Sequence, residues 1–523
     1  MRARRVRLWP ITLSCLLIAA CGGRQEDPPP SAPVIVIGID GGSWNAIEAL
    51  WEQERLPNFR SLVREGVRAE LKPVAAASPV IWTSIATGVK PERHGITNFV
   101  VPTPAGDVPV SSKVRRVPAI WNMVSTVNRT VAALGWWASW PAETVNGVVV
   151  SDRAVRSLEN AFFPPEFGDT FAEIVAQDRQ SMTESSHSSI AQQDRALAAV
   201  ATDLAQQDFD LVLVYFRNVD AESHPNWKYF QPQTFEQVDP DRLQDLSRRV
   251  PEAYEAVDRV IGELRAVAAP ETNFFVVSDH GFRAVKREQY RINMDLNRVL
   301  EHLGYLQQVD NEVDWQRTRA ASWDSAPGMR IKLVRLGLSH REPFGPIEQE
   351  DMDRIRERLT ADLAQVTYQS GAPAFRVREP KNDEKKRGSD LTVVIRQSEV
   401  SSSLEFRGES IPRAISSVHE ITGSHDANTE GIFIAAGPDI DPDSAVDLVH
   451  SLDITPTLLY ALSLPVAQDF DGRPQIELFR GDFRRRHPVQ TIPSWGTRES
   501  GDAISSSADE ELMEELRALG YLD

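Results

Sequence analysis

Cysteine is nearly missing from this 523-residue chain: two residues, Cys15 and Cys21, both lie in the first 21 positions. The folded body therefore has no disulfide and no zinc–thiolate centre, so a metal would have to be held by His, Asp or Glu. Basic charge is also scarce. Lys and Arg number 57 against 75 for Asp and Glu, a formal net charge of −18. A surface this acidic is repelled by phosphate backbones, which excludes general binding of nucleic-acid polymers. Beyond the N-terminus no apolar run approaches the ~20 residues that a membrane span needs. No internal repeat is visible. What is present, 41% hydrophobic and 25% charged residues, is ordinary globular composition with ample material for a core.

The first 20 residues read as an address. Arg2, Arg4, Arg5 and Arg7 precede a short apolar stretch that ends in Ile18-Ala19-Ala20-Cys21. This resembles a bacterial lipoprotein signal, in which Cys21 is lipidated and becomes the first mature residue. Residues 21–33, with three consecutive prolines at 28–30, then form a hydrated tether. The expectation is an exported protein, lipid-anchored to a bacterial membrane through Cys21 and facing the periplasm or the exterior.

Past the tether, apolar runs alternate with amphipathic stretches. Val34–Ile39 opens into Asp40-Gly41-Gly42, Leu211–Phe216 runs toward Asp220, Phe274–Val277 runs into Asp279-His280-Gly281, and Ile432–Ala435 follows His425. Between them lie helical patterns over 58–65, 192–206, 250–267 and 352–363. This is the grammar of an α/β fold, a mostly parallel central sheet with helices on both faces. Residues 34–475 are expected to form the catalytic domain, with 283–415 an inserted cap. The charged run 379–386 reads as a solvated turn, and 476–523 reads as a tail ending in a helix over 510–519.

Open parallel sheets bind ligands at the carboxyl ends of their strands. Seven oxygen or imidazole donors fall there: Asp40, Ser78, Asp220, His224, Asp279, His280 and His425. One acid at a strand end is usually a cap or turn residue. Several buried acids and imidazoles together need a compensating cation, and the donor set suits zinc or manganese, with enough ligands for two ions.

The strings that carry these residues are Asp40-Gly-Gly, Ser78-Pro-Val-Ile-Trp82-Thr-Ser-Ile-Ala-Thr87-Gly88 through His94-Gly95-Ile96, Asp220-Ala-Glu-Ser-His224, Ser278-Asp279-His280-Gly281 and Gly423-Ser-His425. In that order they resemble the alkaline phosphatase superfamily, and within it the type I phosphodiesterase and nucleotide pyrophosphatase branch. The resemblance implies one divalent metal held by Asp220, His224 and His425, a second held by Asp40, Asp279 and His280, and Ser78 between them as nucleophile. It further implies a covalent phospho-Ser78 intermediate and a small phosphate-ester substrate, with phosphodiester or pyrophosphate bonds cleaved. Ser78 stands where this branch usually has Thr; serine is usual in the monoesterase branch. Phosphomonoesterase, phosphonate hydrolase and phosphotransferase activities are the alternatives on the same site, and a non-catalytic metal-containing lipoprotein is the alternative from another class. Thr83, Ser84 and Thr87 are rival hydroxyls in the same segment. Asn98 is a candidate donor to a phosphoryl oxygen, and His94 reads as a structural histidine of the turn. Asp453 reads as a helix cap. Pro79 directly after Ser78, and Trp82 in the arginine place, disfavour a sulfatase.

Overall fold

The computed structural model describes residues 31–103, 106–181, 189–309, 312–322, 330–342, 344–386, 388–396 and 403–519. The expected leader, Cys21 and the tether up to residue 30 lie outside the described residues. Among those described, no helix is long and apolar enough to cross a membrane.

A nine-stranded sheet organises the chain. Its spatial order is Leu448–His450, Val67–Lys72, Gly431–Ala436, Asn273–Ser278, Val34–Ile39, Leu211–Phe216, Val131–Leu134, Gly147–Val150 and Phe162–Phe163. The central strands are parallel. Gly431–Ala436 runs antiparallel to both neighbours, and Phe162–Phe163 closes one edge antiparallel. The middle strands are buried along their whole length, which is why they read as unbroken apolar runs rather than alternating ones. Period-two geometry divides them between two cores. Val34, Val36, Leu211, Leu213 and Tyr215 face the layer that includes helix Ser78–Thr87. Ile35, Ile37, Ile39, Val212, Val214 and Phe216 face the helices around Trp44–Trp51 and Arg249–Val267. Each such buried side chain contributes about 1.5–3 kcal/mol. Gly38 interrupts the first run because a Cβ there would stand 2.9 Å from the Trp82 ring.

Register fixes the height of the functional edge. Ile39 lies beside Phe216 on one side and beside Ser278 on the other, so three strands finish level. Asp40, the Arg217–Asp220 turn and Asp279 thus leave the sheet at one rim. His425 follows the strand Ile415–Ser424 and precedes Gly431–Ala436. Because Gly431–Ala436 is antiparallel, its amino end reaches that same rim.

Between Asn273–Ser278 and Gly431–Ala436 the chain builds a separate apolar core that includes Leu300, Leu336, Leu359 and Val393. It is covered by helix Met352–Leu363 and a four-stranded sheet of Ala320–Ser322, Ile331–Leu336, Leu391–Ile395 and Phe375–Arg378. An antiparallel pair, Arg283–Met294 with Ile415–Ser424, joins this body to the main sheet. The charged run within it departs from the solvated turn expected. Asn382–Lys386 is a short helix, and Glu384 is buried. The Glu384 carboxylate accepts both Arg378 terminal nitrogens at 2.6 and 2.7 Å, the Lys381 N–H and the Thr392 hydroxyl. The Arg378 guanidinium, with the smaller donors, outweighs burial and holds it at about 2.

The C-terminal helix spans Asp509–Leu519 and docks on the main body. Leu512, Met513 and Leu516 enter the first core, while Asp509 pairs with Arg153, and Glu515 with Arg156 and Arg217. Asp453 stands at the N-cap of helix Ile454–Ala461 without a side-chain bond into it; its carboxylate closes the preceding turn by accepting the His450 N–H at 3.2 Å and ties down a later loop through the Arg473 N–H and the Gln475 amide.

Candidate active site

Ser78 opens the wholly buried helix Ser78–Thr87, with Pro79 in the first turn, where its missing N–H costs nothing. The positive end of this helix therefore faces the rim. The Ser78 hydroxyl donates to Asp40 Oδ1 at 3.2 Å and lies 3.4 Å from His280 Nε2. The rival hydroxyls are engaged elsewhere. Thr83 and Thr87 donate to carbonyls one turn back, at Pro79 and Thr83. Ser84 donates to Val80 and sits 2.9 Å from His94 Nε2. His94 itself accepts the Ile96 N–H on Nδ1, and burial, with Arg115 nearby, lowers it to about 3. It is a neutral structural histidine of the turn.

Around Ser78 the structure gathers Asp40, Asp220, Asp279 and His280, all fully buried, with His224 and His425 at the mouth. His280 Nε2 lies 3.3 Å from Asp40 Oδ1, 3.3 Å from Asp279 Oδ2 and 3.9 Å from Asp220 Oδ1. His224 Nε2 is 3.5 Å from Asp220 Oδ1, and His425 Nε2 is 4.0 Å from the same oxygen. The His280 and His425 rings stack at 3.4 Å. Nδ1 of His280 and of His224 face the carbonyls of Gly281 and Gly423 at 3.1 and 3.2 Å. That turns both Nε2 atoms inward.

The grouping differs from the one that the resemblance implies. Asp40, Asp279 and His280 do converge as one potential cation site, but the second converging trio is Asp220, His280 and His425. His280 thus serves both groups, while His224 stands beside the second trio, 3.5 Å from the same Asp220 Oδ1 and with its ring 5.5 Å from His425. Asn98 is exposed, and its side-chain oxygen accepts the Phe99 N–H at 2.9 Å. Among the described residues, no hydrogen bond joins it to the cluster. Trp82, Trp136, Trp137 and Trp140 fill the core.

Three carboxylates in one buried pocket disturb one another. Burial, then the Asp40 charge, pushes Asp279 well above the usual range. For Asp40 burial acts in the same upward direction, but His280 outweighs it and lowers the group. Burial opposes charge on His280, and the Asp279, Asp40 and Asp220 carboxylates outweigh it, raising His280 to about 10. Both carboxylate oxygens of Asp220, Oδ2 of Asp279 and Nδ1 of His425 are buried without a hydrogen-bond partner. Buried polar atoms are rarely left so. This donor chemistry fits divalent cations, and the residues present can hold them.

Two further layers escaped the sequence reading. Tyr215 donates its hydroxyl proton to Asp40 Oδ2, and Trp137 Nε1–H donates to Tyr215 at 2.6 Å. The available signal was phase: Tyr215 shares the face of Leu211 and Leu213 at the end of a buried strand, where a phenol needs a partner. Ser278 accepts the Gly42 N–H at 2.7 Å and donates to the His280 carbonyl at 2.6 Å. It thereby locks the two ligand-bearing loops together. Gly41, at φ +72°, leaves no room for a Cβ between Phe282 and Asp220.

A mostly parallel α/β sheet with a buried serine and converging Asp/His trios at its carboxyl rim defines a phosphoryl-transfer hydrolase with clusters fit for divalent metal. The chain matches the pattern of the type I phosphodiesterase / nucleotide pyrophosphatase family over residues 34–418 and belongs to that family. It is accordingly a hydrolase of phosphate esters. Solved structures similar to it include human ectonucleotide pyrophosphatase / phosphodiesterase 5, at 16% identity and TM-score 0.45, covering 86% of this chain and 100% of that one. Another is phosphonoacetate hydrolase from Sinorhizobium meliloti 1021 in complex with phosphonoformate, at 16% identity and TM-score 0.43, covering 83% and 96%. A third is the inactive murine phosphodiesterase 5 in complex with AMP, at 15% identity, TM-score 0.43, and 83% and 96% coverage. A search of curated proteins finds no match.

Proposed function

We propose that this chain is a phosphodiesterase / nucleotide pyrophosphatase in which Ser78 is the nucleophile and Asp40, Asp220, His224, Asp279, His280 and His425 hold two divalent cations, zinc first and manganese second. The observation that carries the reading is the Ser78 hydroxyl, set against Asp40 and His280 while every neighbouring hydroxyl is bound to its own helix or to His94. Bound divalent cations supply charge stabilisation to phosphoryl oxygens and lower the pKa of a serine hydroxyl. The protein's part is position. Asp40 Oδ1 orients the Ser78 hydroxyl. As the Ser78 Oγ–P bond forms, the P–O bond to the leaving group breaks and the serine proton passes to the departing oxygen, which leaves as the alcohol or phosphate. Water then hydrolyses the phosphoserine and returns the serine. The helix end at Ser78 favours the anionic phosphoryl group, and burial of the cluster keeps these interactions from being screened.

One preparation tests the reaction class. The purified protein is expected to cleave a chromogenic phosphodiester at least about tenfold faster than the matching monoester, a gap of about 1.4 kcal/mol in barrier, and to lose both activities on chelation. A faster monoester rate would favour the alternative to which the serine itself points. Turnover that survives complete metal removal would sink the two-cation reading.

We further propose that the chain is exported and anchored through lipidated Cys21. The basic start, the short apolar stretch and the small residues before the cysteine support this. Mass spectrometry of the membrane fraction should find Cys21 as an acylated N-terminus. Cys21→Ser should abolish that species, and an intact residue 1–20 segment in the wild-type protein would overturn the proposal.

A further inference from the structure

Phe282 follows the Asp279-His280-Gly281 turn and is 2% exposed. Its ring faces all three imidazoles of the site. The centroid lies 4.9 Å from that of His224, 5.5 Å from His425 and 6.0 Å from His280. Trp227 stacks on it at 5.4 Å and 24°, and its carbonyl accepts the Asn45 side-chain amide at 3.1 Å. Two loops beside the ligands also close on the ring. A Cβ on Gly41, next to Asp40, would stand 2.8 Å from it, and one on Gly423, two residues before His425, would stand 3.0 Å from it. Glycine at both places lets the backbone come up against the aromatic edge.

The three imidazoles are not held alike. Nδ1 of His224 and of His280 each face a backbone carbonyl, Gly423 at 3.2 Å and Gly281 at 3.1 Å. His425 has no counterpart: its Nδ1 is buried without a hydrogen-bond partner. A metal-binding histidine normally donates its second ring nitrogen to a fixed acceptor, which sets the orientation of the ring. For His425 what remains is packing, from the His280 ring stacked at 3.4 Å and the Phe282 ring inclined at 60°. We propose that Phe282 is a positioning residue for the second cation group: its rigid ring, held among Gly41, Gly423 and Trp227, fixes the orientation of His425 in place of the missing hydrogen bond. Nε2 of His425 is thereby kept on the side of Asp220 Oδ1, 4.0 Å away. A close-packed interior transmits such a constraint because no void is left into which the imidazole could turn.

The inference rests on His425 as a ligand, and its test keeps the two readings apart. Zn²⁺ affinities of the full chain, stripped of metal, are measured by competition with a chromophoric chelator, beside the melting temperature of each variant. His425→Ala identifies the site concerned. At that site Phe282→Leu should weaken Zn²⁺ binding by about tenfold, the lower end of the range for groups that orient a ligand. The other site should stay within about threefold, since Asp40, Asp279 and the carbonyl-anchored His280 keep their own contacts. On the His425→Ala background the same substitution should cost no further affinity, because two changes that act through one side chain do not add. Phe275→Leu controls for packing alone. That ring is buried in the same sheet but faces the other core, so its loss should lower the melting temperature and leave both affinities unchanged. A Phe282→Leu chain with wild-type affinity, an equal loss at both sites, or a loss that persists undiminished after His425→Ala overturns the inference. Should Phe282→Leu not fold, Phe282→Met decides by the same comparisons: a loss confined to the His425 site supports the inference, and unchanged affinity overturns it. If His425→Ala weakens neither site, the ligand assignment fails and the inference falls with it.

Discussion

Replacing Ser78 by alanine is expected to lower phosphodiester turnover by at least about 10³-fold, leaving only what bound cations and positioning can achieve without a nucleophile. KM should change little, because the lost hydroxyl makes and breaks bonds rather than anchoring the ester. The substitution is also structurally mild. Ser78 is the first residue of its helix, and Ala accommodates that position; its one side-chain donation, to Asp40 at 3.2 Å, is made within a cluster that Tyr215 also supports. Thr83→Ala is the internal control. That hydroxyl bonds the Pro79 carbonyl within the helix, so its loss should leave turnover within a few-fold. Stopped-flow and steady-state assays of the two variants decide between them. A Ser78→Ala enzyme with near-normal turnover would remove the phosphoserine from the scheme.

Asp279→Asn should move metal binding and metal-free stability in opposite directions. Losing a charged donor at the junction with Asp40 and His280 should cost affinity by more than the about 10–100-fold typical of residues that merely support a ligand. Without metal, however, the wild-type carboxylate is a burden. Burial and the Asp40 charge raise its folded pKa well above the unfolded value of 3.8, so between the two values the folded chain holds more protons than the unfolded one. By linkage, that makes stability fall as pH rises from about 4 upward. The amide cannot ionise. The metal-free Asp279→Asn chain should therefore be more stable at pH 7 by about 1–3 kcal/mol, the cost of a poorly satisfied buried group, and should lack that part of the pH dependence. Chemical denaturation across pH, with and without Zn²⁺, measures both effects. A variant less stable than wild type without metal would contradict the electrostatic account.

Much of the centre was legible in the sequence because its residues follow strands too apolar to be anything else. The runs at 34–39, 211–216 and 274–277 announced buried strands, and the tendency of open parallel sheets to gather ligands at their carboxyl edge assigned the acids beyond them to one rim. His425 was placed with the other donors, but the stem strand Ile415–Ser424 that delivers it, and the long-range pairing that brings it to the rim, are choices that no local residue records. The Tyr215–Asp40 and Glu515–Arg217 contacts span 175 and nearly 300 residues, and nothing in spacing or periodicity encodes such distances. Glu384 shows the reverse limit. A charge run suggested solvent exposure, yet one of its acids found Arg378 six residues earlier and went inside. For Asn98, proximity in sequence to the His94 turn did not translate into a contact with the pocket, because its side chain closes on the next backbone amide.

The antiparallel stem that carries the second apolar core has a consequence for how this scaffold can diversify. Its legs pair Arg283 with Ser424 and Ala284 with Gly423, and each leg ends within three residues of an imidazole, His280 below one and His425 below the other. A splice that swaps the whole upper lobe is neutral toward catalysis only when it cuts above those two rungs. A one-residue slip below them reverses the side on which His425 projects. New pockets can therefore be grafted onto this enzyme beyond Glu420, because Thr422 and Glu420 still hold the helix Asn218–Phe230 through the His224 carbonyl and Lys228, while the lowest rungs travel with the chemistry.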